Sequence, residues 1–435
     1  MMMKKPLALG IDFGTSNTVA AVLHEGGKTE VLALDGDRDL LKSLLYFPTR
    51  NESYFGRQAI EQYFDRGMEG RFFQSVKRLL PNPDFSGTSL FGRHISIEDL
   101  IARFLEGLRQ RIEEKVGGKL DGIPVFFGRP ARYSLDSARE GLAVVRFRTA
   151  IGMAGFDMDQ AKLIEEPVAA SFAGARAAGD VKPKGKTKGP ITLIADLGGG
   201  TSDFTLFEER PHGIHTFAVN GISLAGDALD SDFFTARLQN FFGANIQYQR
   251  PFSSNVLTMP TALVKLLPKW HHHAFLRERA TWNFILVLRK ELVDPEQTPL
   301  LENLITLVEE NLGYRLHMSV EELKLHLSSE DVREFGFKSY PIDIAFPVSR
   351  TEFETVIEPS LSGIAASALE TCRLGRIKPE EVTRLQFTGG TSKVPIIRER
   401  LSSLFPHAKV LDQDTFTAVA EGLALHGMEE SDASS

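Results

Sequence analysis

Two short stretches of the chain carry the residue types that bind phosphate. The first is an apolar run that ends in Asp12 and continues with Gly14, Thr15, Ser16 and Asn17. The second run ends in Asp196 and continues with Gly198, Gly199, Gly200, Thr201, Ser202 and Asp203. Glycine allows the backbone to approach a ligand closely, so successive N–H groups can converge on an anion. Each stretch therefore predicts a phosphate-binding loop.

The acids of these loops indicate a cation between protein and phosphate, because a carboxylate repels a phosphate. Hydrated Mg²⁺ bridges carboxylates to phosphate oxygens and keeps several of its waters. We expect Asp12 and Asp196 to hold Mg²⁺ through its waters, with Asp203 in support. Thr15, Thr201 and the glycine amides would hold the phosphates. The alternative is that both loops are only tight β-turns. For one loop alone the two interpretations would be about equal, and the presence of a second similar loop favours phosphate binding.

The elements that position the two loops follow the same order in each half of the chain. The first set predicts strands at Leu7–Asp12, Val19–Leu23 and Glu30–Leu34, and the second predicts strands at Ile191–Leu197, Phe204–Phe207 and Ile214–Val219. In both sets the loop follows the first strand and a turn joins the other two. The two aspartates are 196 − 12 = 184 residues apart. This distance predicts a domain-sized duplication rather than a short repeat.

Composition excludes several other classes of protein. The chain has 435 residues, a net charge of −7 and a single cysteine, Cys372. The negative charge argues against broad attraction to nucleic acid or to anionic lipid. No window approaches about 18 uninterrupted apolar residues, so we expect no membrane span. The lone cysteine fits a reducing compartment, and we expect the protein in the cytoplasm.

The motifs resemble those of a known family. Gly10–Asn17 is similar to the first phosphate motif of the actin-like ATPases, and Asp196–Asp203 to their second; the heat-shock-70 chaperones are the most similar branch. The resemblance implies an α/β fold with two duplicated RNase-H-like lobes around a central nucleotide cleft. It also implies ATP or ADP as the nucleotide and Mg²⁺ as the metal. No P-loop motif is present.

The same resemblance assigns two candidate catalytic residues besides Asp196 and Thr201. Lys77, in the run Lys77-Arg78-Leu79, corresponds to a lysine that positions the attacking water or offsets charge on the transferring phosphate. Glu166, in Glu166-Pro167, corresponds to a glutamate that orders the waters of Mg²⁺. The alternative for Lys77 is a solvated basic surface. The alternative for Glu166 is a carboxylate that stabilises a helix N-terminus, a role compatible with the first.

Three further segments resemble the family's nucleotide contacts. Glu321, Lys324 and Ser328 share one face of a predicted helix and match its adenosine clamp, although a surface pair followed by a serine would show the same spacing. The segment around Gly226 and Asp227 resembles one that lies near the nucleotide. The adenosine motif is matched by Gly389, Gly390, Thr391 and Lys393. Lysine replaces the family's arginine at 393 and lacks the planar head that stacks on adenine.

The predicted organisation has two lobes. Lobe I covers residues 1–190, with a subdomain insertion at about 40–121, and a C-terminal helix at about 406–428 completes it. Lobe II covers residues 191–405 with an enlarged subdomain at about 229–334, where we expect a protein partner to bind. Residues 429–435 are expected to be a disordered tail, and Gly179–Pro190 an exposed loop. No peptide-binding domain is expected to follow, as in the short, YegD-like branch of the family.

These inferences predict a Mg²⁺-dependent ATP-binding protein with slow ATPase activity coupled to lobe closure. The name chaperone comes with the resemblance, and no residue of this chain by itself indicates peptide binding. Two alternatives remain open at this point. One is an actin-like ATPase that forms filaments, since its nucleotide site would look alike. The other is a small-molecule kinase of the same superfold, for which no acceptor motif stands out.

Overall fold

A computed structural model describes residues 5–36, 38–67, 69–74, 76–130, 132–134, 136–170, 189–210, 213–411 and 417–433. Its contacts divide the chain into two compact units. Unit 1 comprises Met1–Ser223, Ala365–Ser392 and Leu401–Ser435, and unit 2 comprises Leu224–Ile364 and Lys393–Arg400. Within the described residues, every helix is too short or too polar to cross a bilayer.

Groups of strands and groups of helices follow one another along the chain, which makes the fold mixed α/β. The strands are β1 (Ala8–Phe13), β2 (Asn17–Leu23), β3 (Thr29–Val31), β4 (Leu41–Lys42), β5 (Leu44–Phe47), β6 (Tyr54–Phe55), β7 (Arg71–Gln74), β8 (Gly87–Leu90), β9 (Arg93–Ser96), β10 (Val125–Arg129), β11 (Ala161–Glu165), β12 (Ile191–Leu197), β13 (Ser202–Arg210), β14 (Gly213–Ile222), β15 (Gln247–Gln249), β16 (Val256–Thr258), β17 (Val332–Ser339), β18 (Ile342–Ser349), β19 (Arg384–Thr388) and β20 (Lys409–Leu411).

The α-helices are α1 (Arg57–Asp65), α2 (Ile97–Val116), α3 (Ser137–Met153), α4 (Gly226–Phe233), α5 (Thr261–Val264), α6 (His273–Leu276), α7 (Arg279–Glu291), α8 (Thr298–Glu309), α9 (Gly313–Leu327), α10 (Arg350–Val356), α11 (Glu358–Gly375), α12 (Pro395–Leu404) and α13 (Ala418–Ala433). Residues 166–170 are also helical. Short 3₁₀ turns at Val76–Leu79 and Gly390–Lys393 belong to the site described below.

Unit 1 contains two sheets built around β1 and β12. In the first, β1 pairs antiparallel with β2 and parallel with β10, and the strand order is β11-β10-β1-β2-β3. In the second, β12 pairs antiparallel with β13 and parallel with β19, and the order is β14-β13-β12-β19-β20. Each central strand therefore has a hairpin on one side and a crossover connection on the other. The phosphate-loop candidates are the turns of these two hairpins.

The core of unit 1 is apolar on both faces of the first sheet. On one face, Leu9, Ile11 and Phe13 of β1 pack with helices α2 and α3 in a large buried cluster. On the other, Ala8 packs with residues of α13 in a second cluster. A strand buried on both faces reads as a continuous apolar run, which is how β1 appears in the sequence.

Helix α13 lies directly on β1 because two glycines allow a close approach. A Cβ atom on Gly10 of β1 would collide with the carbonyl oxygen of Ala420, and one on Gly422 would collide with that of Ala169. The chain's last helix thus contacts its first strand and the short helix that follows β11. This contact fixes the position of Asp12, which lies two residues beyond Gly10.

Unit 2 has a helical core with two small hairpins. Strands β17 and β18 form a two-stranded ribbon, and α9 packs on it. Helix α4 contacts α9, and buried aromatic side chains from α4, β17 and α10 meet at Phe233, Phe335 and Phe353. Strands β15 and β16 form the second hairpin, with Phe252 fully exposed in the turn between them.

Most predicted elements occur close to their expected positions, with two corrections near the C-terminus. The helix expected at about 406–428 begins only at Ala418, and Lys409–Leu411 is the edge strand β20, because it pairs with β19. Helix α13 extends to Ala433, so residues 429–433 are helical and the expectation that the tail 429–435 is disordered is wrong for them. Glutamate and alanine favour a helix enough to continue one that is already anchored by packing. The expected exposed loop, Gly179–Pro190, lies outside the described residues except for Gly189 and Pro190. The lobe boundaries stay a prediction.

Candidate functional site

Unit 1 contains a cavity of about 380 Å³ that both phosphate-loop candidates line. Its predicted lining residues are Asp12, Gly14, Thr15, Ser16, Asn17, Lys77, Glu166, Asp196, Gly198, Gly199, Thr201, Asp203, Gly389 and Gly390. Stretches separated by up to several hundred residues thus meet around one space. A cavity of this size accommodates a small organic ligand.

The first loop joins β1 to β2 and is held from outside the hairpin. The Ser43 hydroxyl donates to the carbonyl oxygen of Gly14 at 2.8 Å and lies 2.9 Å from the Thr18 hydroxyl. A Cβ on Gly14 would collide with the carbonyl oxygen of Asn17, so the turn requires glycine there. The buried amide oxygen of Asn17 has no hydrogen-bond partner in the described residues. The loop therefore contains one buried polar atom whose partner is not supplied by the described part of the chain.

The second loop joins β12 to β13 and is held in a similar way. The Thr391 hydroxyl donates to the carbonyl oxygen of Gly198 at 2.6 Å, and the Gly198 amide donates to the carbonyl of Thr201 at 2.9 Å. Gly200 and Ser202 are buried and do not line the cavity, although both were predicted to contact the ligand. Thr391 likewise does not line it and anchors the loop instead.

Lys77 and Glu166 form a buried ion pair at the cavity wall. The Lys77 ammonium lies 2.7 Å from the Glu166 carboxylate, and the lysine is only 7% exposed. Burial lowers the pKa of Lys77, but Glu166 first and then Tyr133 and Asp12 raise it above its ordinary value, so the lysine is charged. The alternative of a solvated basic surface is therefore wrong for Lys77.

The acids of the cavity are crowded and protonate easily in the ligand-free protein. Burial, and then the charge of Glu166, raises the pKa of Asp12 well above its usual range and that of Asp196 to about 7. Burial also raises the pKa of Asp203 to about 6, against a hydrogen bond from Thr201 that lowers it. A cation placed among these carboxylates would relieve their mutual repulsion and return them to the charged form.

The donor set fits a hard cation that keeps its waters. Carboxylate oxygens are the ligands that Mg²⁺ prefers, and Asp12, Asp196, Asp203 and Glu166 all line the cavity. Among the described residues, no three histidine, cysteine or acidic side chains are placed to ligate one ion directly. Contact through water, as the sequence predicts, requires no such direct cluster, and it stays a prediction.

One edge of the cavity is formed by the end of β19. Gly389 has a positive φ of 78°, and a Cβ there would collide with the carbonyl oxygen of Leu197. The Ser392 hydroxyl donates to the Gly389 carbonyl at 2.7 Å and closes the 3₁₀ turn that follows. The backbone of Gly389 and Gly390 is therefore exposed to the cavity without a side chain in the way.

The remaining predicted contacts lie in unit 2: Gly226, Asp227, Glu321, Lys324, Ser328 and Lys393. Within that unit, the Lys324 ammonium lies 2.8 Å from the Asp230 carboxylate and 3.5 Å from the Gly226 carbonyl oxygen. The Ser328 hydroxyl donates back to the Lys324 carbonyl at 3.0 Å. Burial, and then Asp230, raises the pKa of Asp227. The α9 residues and the start of α4 are thus adjacent, and their contact with adenosine stays a prediction.

Several residues of the cavity are absent from the sequence-based set: Arg78, Pro81, Pro130, Arg132, Tyr133, Ser223, Thr388 and Val419. One signal could have found the group at 130–133. The carboxyl ends of the parallel strands β1 and β10 lie at the same sheet edge, so residues that follow β10 approach those that follow β1. Nothing comparable in the sequence indicates Ser223 or Val419.

Comparison with known proteins finds two kinds of match. A family model described as Hsp70 protein matches residues 304–431. Chaperone protein HscA of Proteus mirabilis is 23% identical over 97% of this chain and 58% of its own length. Chaperone protein DnaK of Thermoplasma volcanium is 22% identical over 96% of this chain and 57% of its own length. The chain therefore spans a little over half the length of the curated relatives that it matches.

Proposed function

We propose that the cavity of unit 1 binds ATP with Mg²⁺ and hydrolyses it slowly, as the chain's similarity to the heat-shock-70 chaperones suggests. The observation that carries the proposal is the meeting of both Gly/Thr loops, four carboxylates and Lys77 around one space. The similar proteins and the matching family model support a nucleotide-binding, chaperone-like function. The Mg²⁺ requirement, the slow rate and the residue roles are proposed in addition to what these similarities support.

The roles follow from position and charge. Backbone amides of Gly14, Gly198 and Gly199, with the hydroxyls of Thr15 and Thr201, hold the phosphates. Magnesium, held through its waters by the four carboxylates of the cavity, supplies positive charge that offsets the phosphates. The Lys77 ammonium adds a fixed positive charge, and Glu166 holds it in place.

The fold that we propose for this function is a pair of RNase-H-like lobes around the nucleotide. Supporting it, both sheets of unit 1 have a central strand with a hairpin on one side and a parallel strand on the other. Gly389 and Gly390 are the proposed adenosine contacts of unit 1, and Glu321, Lys324 and Ser328 are those of unit 2. Lys393 would then lie near adenine without the planar stacking that an arginine provides.

Calorimetry and turnover measurements on two variants test the proposal. Lys77→Ala and Thr201→Ala should each slow hydrolysis by about 10-fold or more, while ATP binding stays measurable, because each removes a contact to the reacting phosphate. Lys115→Ala, which changes an exposed lysine of α2, serves as the matched control. Wild-type turnover in Lys77→Ala or Thr201→Ala would remove that residue's role, and an absence of Mg²⁺-dependent ATP binding in the unmodified protein would remove the function.

The proposed output of the cycle is a nucleotide-driven switch that a protein partner senses through the enlarged subdomain at about 229–334. Hydrogen exchange of this region, with and without Mg²⁺ and ATP, is the direct measurement. We expect ATP to change exchange in α4 and α9, which carry proposed adenosine contacts. If ATP binds and exchange in both helices is unchanged, the switch is wrong while the ATPase proposal stands.

A further inference from the structure

Tyr133 lies in the cavity wall and has no role in the function as proposed above. It follows the carboxyl end of β10, four residues beyond Arg129. We propose that its phenol hydroxyl donates a hydrogen bond to the terminal phosphate of bound ATP and so orients that group for attack by water. This inference rests on the proposed ATPase function and adds a residue to it.

The backbone around Tyr133 is held by one carboxylate. The amides of Tyr133 and Ser134 both donate to Glu140 Oε2, at 2.6 and 3.1 Å. Glu140 lies in the first turn of α3, and Arg129 contacts its other oxygen at 3.4 Å. The tyrosine ring packs against the apolar core of unit 1. The side chain is therefore positioned by a helix and a strand end, which favours a fixed orientation.

The hydroxyl of Tyr133 is an exception to the rule that buried polar groups are paired. Although the residue as a whole is part-exposed, the hydroxyl oxygen is buried and has no hydrogen-bond partner among the described residues. An unpaired buried donor in a native protein calls for an explanation. Tyr133 lines the cavity although its hydroxyl oxygen has almost no exposed surface, so a ligand there provides the missing acceptor once the hydroxyl turns to the cavity surface.

The charges around this hydroxyl indicate that it acts as a donor. Burial is the largest influence on the pKa of Tyr133 and raises it above its ordinary value. The charge of Lys77 lowers this pKa and the charge of Glu166 raises it, so the net change is upward. The phenol therefore keeps its proton at neutral pH and cannot serve as a general base. Lys77 and Tyr133 influence each other's pKa, so the two groups lie near each other. A neutral donor beside a cation suits an anionic phosphate.

The step itself leaves Tyr133 unchanged. The oxygen of a water molecule forms a bond to the γ-phosphorus, and the bond from that phosphorus to the β,γ-bridging oxygen breaks. The electron pair of the broken bond leaves with ADP. One proton of the water stays on the new oxygen and the other passes to a phosphate oxygen, so the products are ADP and dihydrogen phosphate. Tyr133 holds the phosphate oxygens and gains and loses no proton.

The test is Tyr133→Phe, which removes only the hydroxyl. Its matched control is Tyr46→Phe, because the Tyr46 hydroxyl donates to the Glu69 carbonyl at 2.6 Å and does not line the cavity. For both variants and the wild type we would measure the single-turnover rate at saturating ATP. We would also measure the dissociation constants of ADP and of ADP with fluoroaluminate, a mimic of the phosphoryl group in transfer.

The inference expects a specific pattern. In Tyr133→Phe the single-turnover rate and the affinity for ADP with fluoroaluminate both fall by about 10-fold or more, while the ADP affinity stays within about 3-fold of the control. Retained ADP affinity also shows that the variant is folded. Any other pattern overturns the inference, including an equal loss of ADP affinity. A wild-type protein that neither binds nor hydrolyses ATP would instead overturn the proposed function itself, so the two failures are distinguishable.

Discussion

The two phosphate-loop candidates are held in place by similar hydrogen bonds, but they differ in their acidic residues and in the space around their glycines. Each follows a strand whose second-last residue is an aspartate, and each has a glycine carbonyl held by a hydroxyl from a distant segment. Ser43 holds Gly14 at 2.8 Å, and Thr391 holds Gly198 at 2.6 Å. Neither hydroxyl belongs to the hairpin that it fixes. The anchoring therefore depends on the fold of unit 1 rather than on the loop sequence alone.

The differences concern charge and space. Across the second hairpin Asp196 pairs with Asp203, whereas across the first Asp12 pairs with Val19. A Cβ on Gly14 would collide with the Asn17 carbonyl, while one on Gly198 would lie 3.4 Å from the nearest backbone oxygen. The second loop thus concentrates acids, and the first is the tighter turn. Similar sequence patterns can share an anchoring geometry and still divide the chemistry between them.

The largest effect that we expect comes from the acid pair. Burial raises the pKa of Asp196 from 3.8 to about 7, so between these values the folded, ligand-free chain binds more protons than the unfolded chain. Stability that is present below pH 4 is therefore lost as pH rises through 7. We expect Asp196→Asn to gain about 2–4 kcal/mol of unfolding free energy over wild type between pH 4 and pH 8.

Denaturant unfolding at a series of pH values measures this difference. Asp84→Asn, which removes an exposed acid of the same unit, is the control for the change in net charge. A stability difference between Asp196→Asn and wild type that did not change across this pH range would contradict the raised pKa of Asp196 in the second loop.

A smaller effect separates the two glycines. Gly14→Ala should lower the unfolding free energy by about 1–3 kcal/mol, because its Cβ displaces backbone that has no room to move. Gly198→Ala should change it by less than about 1 kcal/mol, since the new methyl reaches only ordinary contact. Thermal or denaturant unfolding of the ligand-free variants decides. Equal losses in both would show that the two turns are equally tight.

The smallest effect tests the shared anchoring. Ser43→Ala and Thr391→Val each remove one hydroxyl, and each should cost about 1 kcal/mol of unfolding free energy. Ser43→Ala should cost more, because its hydroxyl also contacts Thr18 at 2.9 Å. Thr391→Ser keeps the hydroxyl and should behave as wild type. A larger loss for Thr391→Val than for Ser43→Ala would reverse the proposed order.

The sequence predicted the strands that carry Asp12 and Asp196 near their ends because β-propensity, an apolar run and a following glycine are all local signals. It also predicted that Lys77 and Glu166 lie in the site, but only through the family resemblance. Their 2.7 Å ion pair joins residues 89 positions apart, and no local pattern specifies such a contact. The end of α13 was placed too early, since an acidic, serine-containing segment is predicted as disordered when its packing is unknown.

Tyr133 and Thr391 show why the rest was out of reach. Tyr133 enters the cavity because β10 runs parallel to β1, and strand order is a property of the whole sheet. Thr391 matched a nucleotide motif and instead donates to Gly198, a contact that depends on β19 lying beside β12. Residue types can indicate which chemistry is available, whereas tertiary pairing decides which side chain performs it.

The close contact between β1 and α13 has a consequence for synthesis of the protein. Gly10 meets Ala420, and 420 − 10 = 410 residues separate the two. At about 5–20 residues per second, the ribosome needs roughly 20–80 s to make that stretch. During this time one face of β1 has no helix to cover it. The apolar face of β1 that α13 covers in the folded protein therefore stays uncovered by that helix for most of translation.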